Sequence, residues 1–247
     1  MRRKGGVIMT VDSKDIAGAS AGVQDFLSRL DVDLVGVARL DDSGGGKLEE
    51  QARKLLPGTR SVVVMALEVY PEFLDLATSQ RTMGTANLND LLRGHTEYLG
   101  GRLTRAAYDI ARASRRTGLK ALPLSSQGPA VDARFFQAVL SYKHAAAAAG
   151  LGTIGMSSLL VTPRFGPRVR LSACLTEAAL EPTPTPADPT CRFCNICVSK
   201  CPSGALDYPQ NGETYTINKF ACRAYNDAAG GCSQCVRECP VASPIYD

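Results

Sequence analysis

The chain of 247 residues has no cysteine before Cys174 and no long apolar run. A membrane helix needs about 20 consecutive apolar residues, so no membrane partner is expected. The basic start Met1-Arg-Arg-Lys-Gly-Gly6 is followed only by Val7-Ile-Met9 before Thr10 and Asp12. That stretch is too short for the apolar segment of a secretory or twin-arginine leader, and the expected location is the cytoplasm. Charge of one sign is also scarce, with a formal excess of only +4. An excess that small is only a weak hint of an acidic partner and gives no argument for a nucleic-acid partner. Hydrophobic residues make up 45% and charged residues 21%. That composition allows a sizeable core, in one large domain or in a medium domain with a small appendage.

What is present is concentrated near the end. Cys191, Cys194, Cys197 and Cys201 follow as C-x2-C-x2-C-x3-C, with Pro202 directly after. A stretched copy has Cys222, a gap of nine residues, then Cys232, Cys235, Cys239 and Pro240. A loop with a thiolate at every third residue wraps three corners of an iron–sulfur cube, and the cysteine before the proline ligates the other cube. On that logic Cys191, Cys194, Cys197 and Cys239 hold one [4Fe–4S] cluster, and Cys201, Cys222, Cys232 and Cys235 hold a second. Disulfides are disfavoured by the spacing and the absent export signal. Zinc sites usually separate their cysteine pairs by longer gaps, and an unbound set would be open to oxidation. Cys174 lies in an alternating segment, Arg168 to Thr176, and is expected to be a packed strand thiol.

The rest divides into a core over residues 1–180, a Pro/Thr linker over 181–190 and a cluster module over 191–247. The linker, Glu181-Pro-Thr-Pro-Thr-Pro-Ala-Asp-Pro189, should be extended and stiff. Helices are expected over Lys14–Leu30 with Ser13 as its cap, Lys47–Leu56, about Leu88–Thr117, and Phe135–Ala149. Strands are expected at Asp33–Arg39, Ser61–Leu67 and Leu119–Leu124, with Ser158–Thr162 and Arg168–Thr176 as a pair around Pro163–Pro167. On the long helix, Leu92, Leu99, Leu103, Ala106, Ile110 and Ala113 form an apolar stripe. Arg105, Asp109, Arg112 and Arg116 occupy another face, with Arg105 and Asp109 at i,i+4 spacing. That basic face is either a docking surface for an acidic electron donor or merely solvated.

Gly150-Leu-Gly-Thr-Ile-Gly155 matches a dinucleotide-binding glycine motif in letters. It fails in context, because a helix precedes it and a strand follows. Gly150, Gly152 and Gly155 then mark a bare backbone turn that another surface, or a flat cofactor, approaches closely.

Together these segments carry a resemblance. Ala149-Gly-Leu-Gly-Thr-Ile-Gly155, then Leu159-Leu-Val-Thr-Pro-Arg-Phe-Gly-Pro-Arg-Val-Arg-Leu171, a Thr176-Glu177 step and the doubled cysteine motif occur in that order. Val35-Gly-Val-Ala38 and Leu56-Pro-Gly-Thr-Arg-Ser-Val-Val-Val64 add to it upstream. This pattern resembles the superfamily of epoxyqueuosine reductases and reductive dehalogenases over roughly residues 30 to 240. The resemblance implies an α+β chain: a nitroreductase-like core holding a corrinoid (cobalamin), followed by a bacterial-ferredoxin-like module with two [4Fe–4S] clusters. It also implies an external donor such as ferredoxin or flavodoxin and reduction of a small molecule at cobalt.

The chain departs from the family in places. The position of the epoxyqueuosine reductases' catalytic aspartate falls at Phe136, with Asp132 nearby as a weak substitute. The Asp-Tyr-His signature has no match, the nearest residues being Gly94, His95 and Tyr98. No helical-repeat tail of the kind that grips tRNA follows. A minimal, divergent member is therefore expected, with its own substrate.

Beyond the clusters, Tyr142, Lys143 and His144 are candidate proton donors or corrinoid contacts, with Asp132 beside them. Ordinary packing and solvation are the alternative, as they are for His95 and Tyr98. Arg168 and Arg170, with Arg164, are candidate partners for corrinoid amide or phosphate groups. Three functional readings stay open: a corrinoid-dependent reductase, an electron-transfer protein that feeds another enzyme, and a reductase with a flavin (FMN) in the same pocket.

Overall fold

The computed structural model describes residues 13–40, 46–77, 82–83, 86–127, 131–210 and 212–241, with backbone alone for 13–16, 82–83 and 86. The proposed cap at Ser13 concerns a side chain outside that set. The chain starts with α1 (Ser13–Leu27) and β1 (Leu34–Arg39). It continues through α2 (Lys47–Leu55), which stops at Pro57-Gly58 as its sequence requires, into β2 (Ser61–Glu68). Short elements follow: α3 (Pro71–Leu76), β3 (Thr82–Met83) and β4 (Ala86–Asn87). The long helix α4 (Asn89–Arg116) ends one residue before Thr117 and leads to β5 (Ala121–Leu124).

Strand β2 explains the core. From Ser61 to Leu67 every residue is buried, the signature of a strand covered on both faces. Val63, Met65 and Leu67 pack with Leu103 and Ile110 of α4 and Val23 of α1. Val62 and Val64 point the other way, toward Ala52 of α2 and an alanine-rich helix further on. The result is a sheet between two helical layers. Each fully buried aliphatic side chain contributes about 2 kcal/mol through its removal from water. On α4, Leu99, Leu103, Ala106 and Ile110 are buried as the stripe requires. Asp109 pairs with Arg112 at 2.9 Å, not with Arg105.

Two expectations for the middle of the chain are corrected. Phe135–Ala149 is not one helix. A hairpin of β6 (Val131–Asp132) and β7 (Gln137–Ala138) comes first, and α5 covers only Tyr142–Ala148. The Asp132 carboxylate accepts the Arg134 backbone N–H at 3.0 Å, turning the chain, and Phe136 sits at φ 45°. The unbroken run of helix-favouring alanines begins only at Ala145.

The second correction concerns strand pairing. β8 (Thr153–Ile154) pairs with β9 (Leu160–Val161), whereas β10 (Val169–Thr176) enters the main sheet. Pro163 and Pro167 lack an N–H, so the two strands cannot zip together and only a Thr162–Gly166 bridge forms. Strand β10 instead pairs along its whole length with β2 and over four residues with β5, giving the antiparallel order β1-β2-β10-β5. Cys174 on β10 is fully buried in the α1/α4 core, as a packed strand thiol should be, and burial pushes it up to about 12.

The proline-rich segment 181–190 lies against the molecule and is not a free spacer. Val37 of edge strand β1 exchanges two hydrogen bonds with Thr183: its N–H donates to the hydroxyl and its carbonyl accepts from the Thr183 N–H, both at 3.0 Å. The Thr190 N–H donates to the Thr153 hydroxyl at 2.9 Å. Beyond it come α6 (Ile196–Ser199), β11 (Leu206–Asp207) paired with β12 (Thr216–Ile217), α7 (Lys219–Ala228) and α8 (Gln234–Arg237). Thr183→Val keeps the shape but leaves the Val37 N–H, on a buried residue, without its acceptor. We expect a loss of about 1–2 kcal/mol in urea denaturation.

Candidate functional site

The late cysteines act on one another in two sets that meet at Cys197 and Cys235. Burial raises Cys197, and so do Cys191, Cys194 and Cys239. Burial likewise raises Cys239, whose neighbours Cys191 and Cys194 push the same way. Cys222 is raised by burial, then by Cys232 and Cys201. Cys235 is pushed up to about 12 by burial, then by Cys232 and Cys222, with Cys197 and Cys201 adding to it. Thiols that oppose one another's ionisation in a small volume call for a cationic centre between them.

The local chain explains how they meet. Phe193 and Asn195 take positive φ, which curls the Cys191–Cys197 run. Asn218 caps α7, accepting from the Ala221 N–H, and so fixes Cys222 on that helix. The nine-residue gap is closed by the Asn226 side chain, which accepts from the Cys232 N–H at 3.0 Å. A cavity lies among Cys191, Cys194, Cys197 and Cys239, walled by Met156, Val161 and Pro240. Among the described residues no three ligating side chains form a site for a single metal ion. A cube differs in what it asks, because it holds its thiolates at outer corners around a larger centre.

The glycine turn packs against these elements. A Cβ on Gly150 would strike the Pro184 carbonyl of the linker, and one on Gly152 the Val161 carbonyl of β9. A Cβ on Gly155 would lie 2.7 Å from Val161 Cγ2 and 3.2 Å from Cys191 Sγ. The bare turn thus admits the chain's own linker and cysteine loop.

A second concavity, about 730 Å³, opens between α2, the β6–β7 hairpin, α5 and the cysteine-bearing region. Lys47, Lys143, Lys219 and His144 line it, with no carboxylate among the described lining residues. Leu48, Phe136, Ala138 and Leu159 supply apolar wall. The Lys143 ammonium donates to the Ser158 carbonyl and hydroxyl, both at 2.6 Å, and to the Tyr215 hydroxyl at 3.2 Å. Burial raises the Tyr215 phenol, but the hydrogen bond and charge of Lys143, with help from Ser158 and Lys219, outweigh it and the phenol titrates below its ordinary value. His144 is lowered by burial and by Lys143 and Lys47, and its Nδ1 lies 2.8 Å from the Ser141 hydroxyl.

The other sequence candidates sit elsewhere. Tyr142 does not line the cleft. Its hydroxyl donates to the Ser125 carbonyl at 2.8 Å and burial pushes it up to about 12. Asp132 is held ionised by Arg134 on the outer part of the hairpin. His95 accepts from the Tyr70 N–H and stacks on Phe73, which is a packing role. Arg170 donates to the Ser126 carbonyl at 3.3 Å. Arg168 is buried beside Glu68 at 3.4 Å. Neither arginine reaches the cleft. Sequence reading missed Tyr215, Lys219, Lys47 and Ser158. Lys219, three residues ahead of Cys222, was the one with a usable signal.

No family model matches the chain. An epoxyqueuosine reductase from Gloeobacter violaceus is 30% identical over 70% of this chain and 48% of its own length. A tetrachloroethene reductive dehalogenase from Desulfitobacterium hafniense is 26% identical over 73% of this chain and 32% of its own. Among solved structures, a reductive dehalogenase described as suggesting a mechanism for B12-dependent dehalogenation superposes with TM-score 0.64 at 18% identity, covering 98% of this chain and 34% of that one. The mixed helix-and-strand architecture is therefore a fold found among these reductases. The chain belongs to the epoxyqueuosine reductase/reductive dehalogenase-like superfamily. It spans less than half the length of these two relatives. No helix among its described residues is long and apolar enough to cross a membrane.

The tyrosines give a direct check on the cleft. In an ultraviolet pH titration we expect Tyr215 to ionise below the ordinary tyrosine range and Tyr142 above it. Lys143→Met should abolish the early phase and leave the late one.

Proposed function

We propose that this chain is a reductase in which two [4Fe–4S] clusters deliver electrons to a corrinoid seated at the lysine-lined cleft. One observation carries the reading: α7 presents Cys222 to the second thiol group and Lys219 to the cleft, so the two sites share a helix. Residues 1–180 form the corrinoid-binding core, 181–190 the strap and 191–247 the cluster module. The ligand sets are Cys191, Cys194, Cys197 and Cys239, and Cys201, Cys222, Cys232 and Cys235. The thiol groupings support this assignment. Cys201 alone has a net lowered pKa: burial raises it, but the Ser203 hydroxyl and the backbone N–H groups of Leu206, Ser203 and Ala205 outweigh that.

The cleft fits a flat macrocycle with polar substituents. Leu48, Phe136 and Leu159 offer apolar contact, while Gln51, Gln137 and Ser141 offer hydrogen bonds to amides. A bound corrinoid would supply strongly reducing cobalt chemistry. The chain's own residues supply the proton: Lys143 holds the Tyr215 phenol at a depressed pKa, where it gives up a proton more readily than a free tyrosine. Tyr142 and Asp132 are not the donors, one being tied to a carbonyl and the other ionised. Three lysines, with no carboxylate among the described lining residues, favour a small substrate carrying negative charge. A low-potential donor of the ferredoxin or flavodoxin class provides the electrons.

A second reading is favoured by the size of the cleft and its lysines. A flavin mononucleotide falls within the usual pocket range, and its phosphate would suit Lys47 or Lys219. Anaerobic reconstitution with iron and sulfide, followed by titration with cobalamin or FMN, separates the two. We expect about eight irons per chain, about four in Cys197→Ser, and stoichiometric changes in the cobalamin bands. Flavin bands alone would transfer the chemistry to the second reading. Cluster absorption with neither ligand bound would leave an electron-transfer protein.

A further inference from the structure

The tight loop that joins β8 to β9 holds a residue its backbone does not favour. The Gly155 N–H donates to the Leu159 carbonyl at 2.9 Å, and the Ser158 N–H donates back to the Gly155 carbonyl at 2.9 Å. Three loop residues, Met156, Ser157 and Ser158, thus follow the pattern of a type I turn and then a left-handed position. That position falls to Ser158, at φ 62°. Glycine is the usual choice there, because a Cβ crowds the following carbonyl. Ser158 is also buried, at 5% exposure. A polar side chain at a strained, buried position points to a use for that side chain. Its surroundings show the use. The Lys143 ammonium has three N–H donors. They meet three acceptors: the Ser158 carbonyl and hydroxyl, each at 2.6 Å, and the Tyr215 hydroxyl at 3.2 Å. Two of the three anchors of the ammonium therefore belong to one residue.

We infer that Ser158 is a positioning residue, which holds the Lys143 ammonium in the orientation that leaves its third N–H for the Tyr215 hydroxyl. The inference deepens the proposed role of Tyr215 as proton donor and rests on that reading of the cleft. A lysine ammonium on its flexible four-carbon stem samples many positions. Two short, charge-assisted hydrogen bonds to a residue fixed in a tight loop select one of them. The ammonium then lies 4.5 Å from the centroid of the Tyr215 ring as well as beside its hydroxyl. When Tyr215 gives up its proton, the phenolate that forms stays paired with the same ammonium. Other cations share the cleft: Lys219 of α7 also favours the phenolate, and Lys47 of α2 and His144 of α5 line the wall. Lys143 is the cation that donates a hydrogen bond to the phenol, and Ser158 is what aims it.

The experiment uses the full chain with no cofactor added, so its outcome is independent of cluster and corrinoid loading. Ser158→Ala and Ser158→Gly both remove the hydroxyl, but only glycine suits the left-handed backbone. Each variant is unfolded in urea and titrated in the ultraviolet, with Tyr215→Phe identifying the Tyr215 phase. We expect Ser158→Gly to unfold at a higher urea concentration than Ser158→Ala. Both should lose the low-pH Tyr215 phase and keep the late Tyr142 phase. Ser158→Asn tolerates the left-handed region and offers a side-chain carbonyl, so it should restore part of the low-pH phase. Ser158→Gly carries the test if Ser158→Ala does not fold. A merely structural serine predicts that the titration follows stability, with the low-pH phase intact in Ser158→Gly. That result, or a Tyr215 phase unchanged in both variants, would overturn the role of Ser158. A Tyr215 that titrates in the ordinary tyrosine range in the unsubstituted chain would instead overturn the proton-donor reading beneath it.

Discussion

Thiols that resist one another's ionisation set the terms for the whole second half of this molecule. Each of Cys197, Cys239, Cys222 and Cys235 is raised by burial and again by its cysteine neighbours. Without a cationic centre such groups would either stay protonated or spread apart. The chain holds them together through backbone devices that do not depend on metal. Asn218 caps α7, Asn226 pins the Cys232 N–H, and the glycine turn lets the Cys191 loop approach β9. On the proposed reading, iron and sulfide relieve a repulsion that the fold has already organised.

The sheet and the cysteine region are linked through β10. This strand is bonded on both sides within the core, so it is among the least mobile parts of the chain. The turn just ahead of it rests on Val241, and Thr183 ties the linker to edge strand β1. Proline suits that linker, since it removes the free N–H groups that would otherwise invite another strand onto the edge. A stiff segment bonded at Thr183 and Thr190 fixes where the first cysteine enters.

How much of this was legible depended on the range of the interaction. The doubled cysteine motif, the buried run of β2 and the stripe on α4 are local patterns, and sequence spacing alone carries them. The pairing of β9 was misread because Leu159 to Leu171 looks like a hairpin until the missing N–H groups of Pro163 and Pro167 are counted. The helix expected from Phe135 failed for a related reason: Asp132 turns the chain through its own side chain, and apolar residues around it belong to a hairpin. Tyr215 was invisible. It meets Lys143 across 72 positions, in a segment between two cysteine motifs where nothing marks it. Tyr142, a candidate donor that directly precedes Lys143, is turned toward Ser125 because adjacent residues on a helix point about 100° apart.

The distribution of charge bears on the chemistry more than its total. The formal excess of +4 is small, but three lysines line one cleft and no carboxylate among the described residues joins them there. On the proposed reading, two clusters carry roughly −2 each, and one of them is held in part by Cys222 of α7. Moving an electron toward an anionic substrate brings negative charge together from both sides. Lys143, Lys219 and Lys47 oppose that cost at the cleft. Their placement around the cleft, on α2, α5 and α7, makes the positive charge a property of the fold and not of any one motif.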